Sequence, residues 1–369
     1  MSPDSTPTTT VVDCSGVGAG GITRVLTEIV RYWPVGHRLR IVAAPASWEP
    51  PGERSAVVEI TSRQAAGRAR TVASATVALR RATGAAARDG GPARVLSLSP
   101  SAAVIGSRLP VTTIVHDLAF RLWPHGLPAS VRQYRRVSYA TAIRRSGRLL
   151  CVSARTRHDL FGLYGVGYER SDVWHPGSDL GTVAGRLPES LAGVRGPYLA
   201  VAGHAAHKGV ELAIEAVSAL PRYTLAVLTG GERVERFEAA AAGSGAAGRI
   251  VFLGRLSDPE YAATIAGAAA FLMPSHFEGY GLPAVEALRL GTPTVISPDP
   301  ALYEATAGAA IRMDSWTGAA LVRALARIDR EPKPHGGGRS WREATGELFG
   351  LVAGEPASRR RAGVPLGVR

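Results

Sequence analysis

Cysteine and lysine are almost missing from this 369-residue chain, in which Cys14 and Cys151 are the only thiols and Lys208 and Lys333 the only lysines. Two cysteines cannot build a disulfide framework or a cysteine-rich metal site, so both are expected to be small packed residues. No apolar run approaches the ~20 residues needed to span a bilayer. The opening MSPDSTPTTT lacks the basic and apolar stretches of a secretory leader, and the chain is expected to stay in the cytoplasm. Negative charge is also short, with 30 acidic against 43 basic residues and a formal net charge of +13. That excess, nearly all arginine, suits anionic lipid, nucleic acid or a phosphorylated substrate. The arginines are scattered rather than interleaved with aromatics and no base-reading motif accompanies them, which argues against nucleic acid. Arg68, Arg70, Arg80 and Arg81 lie on a helical stretch at 63–88 that reads as a solvated face, with anionic headgroups as its other use.

What is present is alternation. At 46% hydrophobic content the length fits two α/β domains rather than one core. Residues 8–14 read as a strand, 15–21 as a glycine loop, 22–33 as a helix and 38–44 as a second strand, a β-α-β opening. The loop Gly16-Val17-Gly18-Ala19-Gly20-Gly21 is similar to a dinucleotide fingerprint, but no acidic residue closes the second strand. Further strands are expected at 94–98, 111–115, 149–152 and 172–174. A glycine- and proline-bearing linker follows at 181–197. The alternation restarts with strand 198–202, helix 210–220 and strands 224–228 and 249–253. The boundary is placed near 190, giving domains at 1–188 and 189–339. Beyond Gly354 the segment with Arg359, Arg360 and Arg361 has little to bury and is expected to be a disordered basic tail, 354–369.

The densest signal is FLMPSHFEGYGLPAVEALRLGTPTVISP, residues 271–298. Residues 268–273 form a short apolar run ended by Pro274, as in a strand buried on both faces. Two glycines within Glu278-Gly279-Tyr280-Gly281 allow positive φ and close approach of backbone to a ligand. Pro283 suits the first turn of a helix that Gly291 stops. Amides at Gly281, Leu282 and Ala284, with the positive end of the helix dipole, would attract a phosphate or a sugar hydroxyl. Glu278 in the loop and Glu286 in the first helical turns are spaced to face one mouth.

This segment resembles the E-x7-E signature of family 4 of the retaining glycosyltransferases. The resemblance implies the GT-B fold, two Rossmann-like doubly wound α/β domains facing a central cleft. A closing helix at 340–353, anchored by Trp341, would cross back to the first domain. By the same resemblance Glu278 contacts the donor sugar hydroxyls, Gly279, Tyr280, Gly281 and Leu282 line sugar and phosphate, and Glu286 binds the nucleotide ribose. Gly20 and Gly21 lie on the cleft side of the first, acceptor-side domain. His116 of the His116-Asp117 element meets the donor sugar or its glycosidic oxygen, while Asp117 orients the loop.

Lys208 follows a strand and a glycine turn at the carboxyl edge of the second sheet, where its compact ammonium could neutralise a leaving diphosphate. The family often places an arginine soon after that turn's first glycine, whereas here His204 follows Gly203, so His204 or Arg255 is expected to take its part. Ser153 reads as an N-cap, and Glu304 as helix capping rather than chemistry. No Asp-x-Asp pair stands where a diphosphate would need one, so neither metal nor cofactor is expected. The implied activity is a hexosyltransferase, mannosyl or glucosyl favoured. The donor is a nucleoside-diphosphate sugar; the acceptor is a glycan, lipid-linked or small molecule; and the anionic membrane face is a peripheral contact. The rival readings are a nucleotide-sugar epimerase or sugar phosphorylase on the same fold, and a membrane-docked binding subunit without turnover.

Overall fold

A computed structural model describes residues 7–18, 20–125, 127–180, 185–194, 196–231, 234–328 and 338–354. The basic tail, Lys333 and part of the linker at 181–197 lie outside the described residues. Packing divides the chain into two compact units that interleave in sequence. The first is drawn from Met1–Ile114, Val137–Leu150 and Trp341–Arg369, the second from Val115–Arg136 and Cys151–Ser340.

Among the described residues thirteen strands form two sheets. In chain order they are β1 (Thr9–Asp13), β2 (Arg38–Val42), β3 (Val57–Ile60), β4 (Ala93–Ser97), β5 (Val111–Val115), β6 (Arg148–Cys151) and β7 (Ser171–Val173). Then come β8 (Tyr198–Ala202), β9 (Thr224–Leu228), β10 (Ile250–Leu253), β11 (Ala270–Met273), β12 (Thr294–Ile296) and β13 (Ile311–Arg312). The sheet orders are β3-β2-β1-β4-β5-β6-β7 and β10-β9-β8-β11-β12-β13. β1 pairs in parallel with β2 and β4, and β8 with β9 and β11. Each order therefore reverses beside its own first strand, which opens a crevice at the carboxyl ends of β1 and β4 in one sheet and of β8 and β11 in the other. Open α/β sheets bind ligands at such switch points.

The central strands form because their residues can be covered on both faces. β1, β5 and β11 are buried along their whole length, as the unbroken apolar run at 268–273 implies for β11, and in β5 Thr112 and Thr113 are buried along with the apolar residues. β3 did not stand out in the sequence because Val57 and Glu59 are exposed, leaving it without the apolar pattern of a covered strand. In the first unit, helix Arg68–Arg88 buries Thr71, Ala75, Leu79, Ala82 and Ala86, a stripe at helical spacing. Arg68, Arg70, Arg80 and Arg81 are exposed.

Helix Trp341–Ala353 is part of the first unit. Trp341 has no exposed surface, and Phe349 meets the Trp33 ring edge-on at 5.4 Å and the His37 ring at 4.5 Å. Arg94 and Arg148 donate to the carbonyls of Val352 and Leu351 at 2.7 and 3.2 Å, satisfying oxygens that the helix end leaves open. Replacing Trp341 with alanine should cost about 3–5 kcal/mol. Urea denaturation followed by circular dichroism would measure it, and a shift under about 1 kcal/mol would deny Trp341 its anchoring part.

Candidate functional site

The loops leaving β8 and β11 are built against one another. The His276 amide donates to the His207 carbonyl at 2.7 Å. Gly209 has φ +65°, and a Cβ there would fall 2.3 Å from the Pro274 carbonyl oxygen, so the two loops meet at a distance only glycine permits. Lys208, one residue earlier, closes a single turn of 3₁₀ helix, Ala206–Lys208. Its Nζ reaches both carboxylate oxygens of Glu278, at 2.8 and 3.0 Å. The pair is largely screened, with Glu278 buried and about a quarter of the Lys208 side chain open to water.

Three contacts fix the Glu278 loop. Gly279 lies against the chain at His116, where a Cβ would fall 1.9 Å from the His116 carbonyl oxygen. The Gly279 carbonyl accepts from the Ser153 hydroxyl at 2.7 Å. The Glu278 amide donates to Asp299 at 3.2 Å. Asp299 also accepts from the Ala301 amide at 2.8 Å and is held by Arg155 at 3.0 Å, whose guanidinium lies 4.2 Å from the centre of the Phe277 ring. Burial raises the Asp299 carboxyl above its ordinary value, and Arg155 pulls it back.

A cavity of 460 Å³ opens at this point, within the range of small-molecule sites. Lys208, Glu278, Gly279 and His204 line it, four of the residues singled out from sequence, together with Asp117. Asp117 accepts from the Ala119 amide at 2.9 Å, the loop-orienting part read for it. His116 is half-buried and outside the lining.

The mouth expected to receive both glutamates holds only Glu278. Glu286 sits one turn into helix Leu282–Arg289, is buried, and accepts from the Tyr261 hydroxyl at 3.1 Å. Tyr280 is buried and stacks on His175 at 5.3 Å; burial raises its hydroxyl to about 12. Of the three amides expected to be free, that of Ala284 donates to the Gly281 carbonyl at 3.0 Å, because the helix begins there with a tight turn. Gly281 and Leu282 lead into and open that helix. Arg255 is exposed beside Gly231 and does not line the cavity, so of the two substitutes weighed for the missing arginine only His204 does. Gly20 and Gly21 begin helix Gly21–Tyr32 in the first unit.

Ser153 caps helix Ala154–Tyr164 through the Thr156 amide. Glu304 caps this same helix rather than its own, accepting from the Ala154 amide at 2.8 Å and meeting His175 Nε2 at 2.7 Å. The sequence reading missed the cavity's other wall: Trp123, His125, Leu127 and Arg135, with Arg236 alongside. Its one legible signal was Trp123-Pro124-His125 just after the His116-Asp117 element, in a chain with 6% aromatic residues. Among the described residues no three His, Cys, Asp or Glu side chains are grouped to hold a metal, and no helix is long and apolar enough to cross a membrane.

Burial lowers His207 to about 4, with Lys208 adding to the shift and Glu278 and Asp117 opposing it. Its imidazole is therefore neutral at pH 7. An unfolded chain would protonate it from about pH 6.5 downward, so its contribution to stability is complete above that value and falls away between about 6.5 and 4. The His207 ring resonances should titrate near pH 4 by NMR; a midpoint near 6.5 would contradict this placement.

Two family models match the chain, Glycosyltransferase Family 4 over residues 19–182 and Glycosyl transferases group 1 over residues 192–311. A glycogen synthase of Deinococcus radiodurans is 33% identical over 138 residues, 34% of this chain and 31% of that protein. The chain thus matches less than half the length of the curated relatives. Among solved structures, the sucrose-phosphate synthase of Thermosynechococcus elongatus superposes with a TM-score of 0.67 at 16% identity, over 93% of this chain and 95% of that one. The Anabaena protein HepE, solved with UDP and glucose, gives 0.63 at 16% identity over 93% and 95%.

Proposed function

We propose that this chain, which belongs to the family 4 glycosyltransferases of the GT-B fold, moves a hexosyl group from a nucleoside-diphosphate sugar to an acceptor hydroxyl with retention at the anomeric carbon. The observation that carries the reading is the Lys208–Glu278 pair in a cavity at the carboxyl ends of β8 and β11. It presents a cation and a carboxylate together, one for a leaving diphosphate and one for the hydroxyls of the sugar it leaves. The UDP and glucose in the HepE structure support a nucleotide-sugar donor. Mannosyl and glucosyl groups are favoured, and the acceptor is a glycan, a lipid-linked sugar or a small molecule. The work is done in the cytoplasm, with an anionic membrane face as a peripheral contact.

In this reaction the bond from the anomeric carbon to the diphosphate oxygen breaks and its electron pair leaves with the diphosphate. The acceptor oxygen bonds to the same carbon on the same face, and its proton passes to the departing phosphate. Lys208 exchanges Glu278 for the diphosphate as charge develops there, and the amides of Gly281 and Leu282 add dipoles at the helix start. Freed from the ammonium, Glu278 accepts from the sugar hydroxyls. His204 contacts the phosphates, while Glu286 and His116, which lie outside this cavity's lining, keep the ribose and sugar parts that the family resemblance implies.

Lys208→Ala and Glu278→Ala should each lower kcat/KM by about a hundred- to a thousandfold with circular dichroism unchanged. Wild-type rates in either variant would remove these residues from the chemistry. Incubated with labelled nucleotide sugar and acceptor, the protein should yield a new glycoside of the donor's anomeric configuration. A rearranged nucleotide sugar or a free sugar phosphate would overturn the reading. The positive charge in the proposal comes from the protein alone, so EDTA should leave the rate within about twofold of the untreated enzyme; a large loss would show that a divalent ion shares the load.

A further inference from the structure

The cavity has two walls of different chemistry. Loops at the β8 and β11 edge supply Ala205 to Lys208 and Phe277 to Gly279, and the proposed donor contacts lie there. The opposite wall comes from the stretch after His116: Asp117, Trp123, His125, Leu127 and, on helix Ala129–Arg145, Arg135. Resting on the proposed function, we infer that this second wall receives the acceptor and selects one bearing a phosphate, with Arg135 as the phosphate's partner and Trp123 as the face against which its sugar or polyol ring lies.

Arg135 is the cavity cation without a carboxylate partner among the described residues. The cavity holds three permanent cations, and two are engaged: Lys208 with Glu278, and Arg236 with Glu211. The Asp117 carboxylate takes the Ala119 amide. Among the described residues no carboxylate pairs with Arg135, although it is half-buried in the lining. A half-buried guanidinium without a counter-charge suits a bidentate anion such as phosphate. The donor's own diphosphate is already provided for on the other wall by Lys208.

Trp123 supplies the second requirement. Its indole stacks on His276 at 5.9 Å with the planes 13° apart and meets His207 edge-on at 5.9 Å. Burial lowers both imidazoles, so His207 and His276 hold the indole as neutral rings. An aromatic face held in place at low entropic cost binds the C–H face of a sugar or polyol ring, and the nearby cation reads its anionic substituent.

The test uses the full-length protein, UDP-glucose or GDP-mannose as donor, and matched acceptors: glucose and glucose 6-phosphate, fructose and fructose 6-phosphate, inositol and inositol 1-phosphate. Nucleoside diphosphate release is the readout. For at least one pair the phosphorylated member should show a kcat/KM about 30-fold or more above its neutral twin. Arg135→Ala should bring that ratio to near one with the donor KM within twofold of wild type, and Arg135→Lys should restore part of it. Trp123→Ala should raise the acceptor KM for both members of a pair by a similar factor, leaving their ratio intact. Equal use of the twins, a preference that survives Arg135→Ala, no release above the water background with any phosphorylated member, or an Arg135→Ala effect confined to donor KM would each overturn the inference. Donor binding, followed by thermal shift without acceptor, separates the two levels. A protein that is stabilised by nucleotide sugar but ignores phosphate loses only this inference, whereas one stabilised by no nucleotide sugar loses the proposed function as well.

Discussion

Lys208 and Glu278 neutralise one another across the gap between two loops, and most of the local architecture serves to keep them there. The ammonium is placed by a short turn after β8 and the carboxylate by a loop after β11, strands that are neighbours because the sheet order reverses between them. Gly209 lets those loops approach at Pro274 where any side chain would collide, and Gly279 does the same for the Glu278 loop against the chain at His116. Asp299, Arg155 and Ser153 then hold the carboxylate's backbone from behind. A charge pair so screened gives little net stability by itself, because desolvation offsets most of the attraction. Its value lies in two opposite charges already aligned at the place where a ligand enters.

The fold was legible at most of the strands that are covered on both faces. Strands Val111–Val115, Tyr198–Ala202 and Thr224–Leu228 have the bounds the sequence implies, since apolar and threonine side chains fill each and a glycine or polar residue follows it. β3 was not legible, nor were β12 and β13 with three and two residues, because an exposed edge or a very short strand leaves no apolar periodicity. Helix Leu282–Arg289 was marked by Pro283 and by the glycine that follows it. Its first amides could not be sorted from sequence into free and engaged, because that depends on how tightly the first turn winds.

The site was legible on one wall only. Glycine spacing, a scarce lysine and an isolated acid point to Lys208 and Glu278, whose chemistry is local to two loops. Glu286 appeared to share their mouth because eight positions separate it from Glu278, but a helix turns its side chain through 100° per residue, and this one meets Tyr261 instead. Trp123, Arg135 and His276 come together from segments about 140 residues apart, and no periodicity in the sequence encodes such a meeting. The same holds for Glu304, whose capped helix lies some 150 residues earlier in the chain.

The return of helix Trp341–Ala353 to the first unit bears on how the protein is made. β1 to β4 leave the ribosome well before this helix does, and the surface that Trp341 and Phe349 occupy beside Trp33 and His37 stays uncovered until the helix follows. The unit whose strands precede the second sheet thus closes only after that sheet is made, and throughout translation of the second sheet it exposes apolar surface that chaperones recognise.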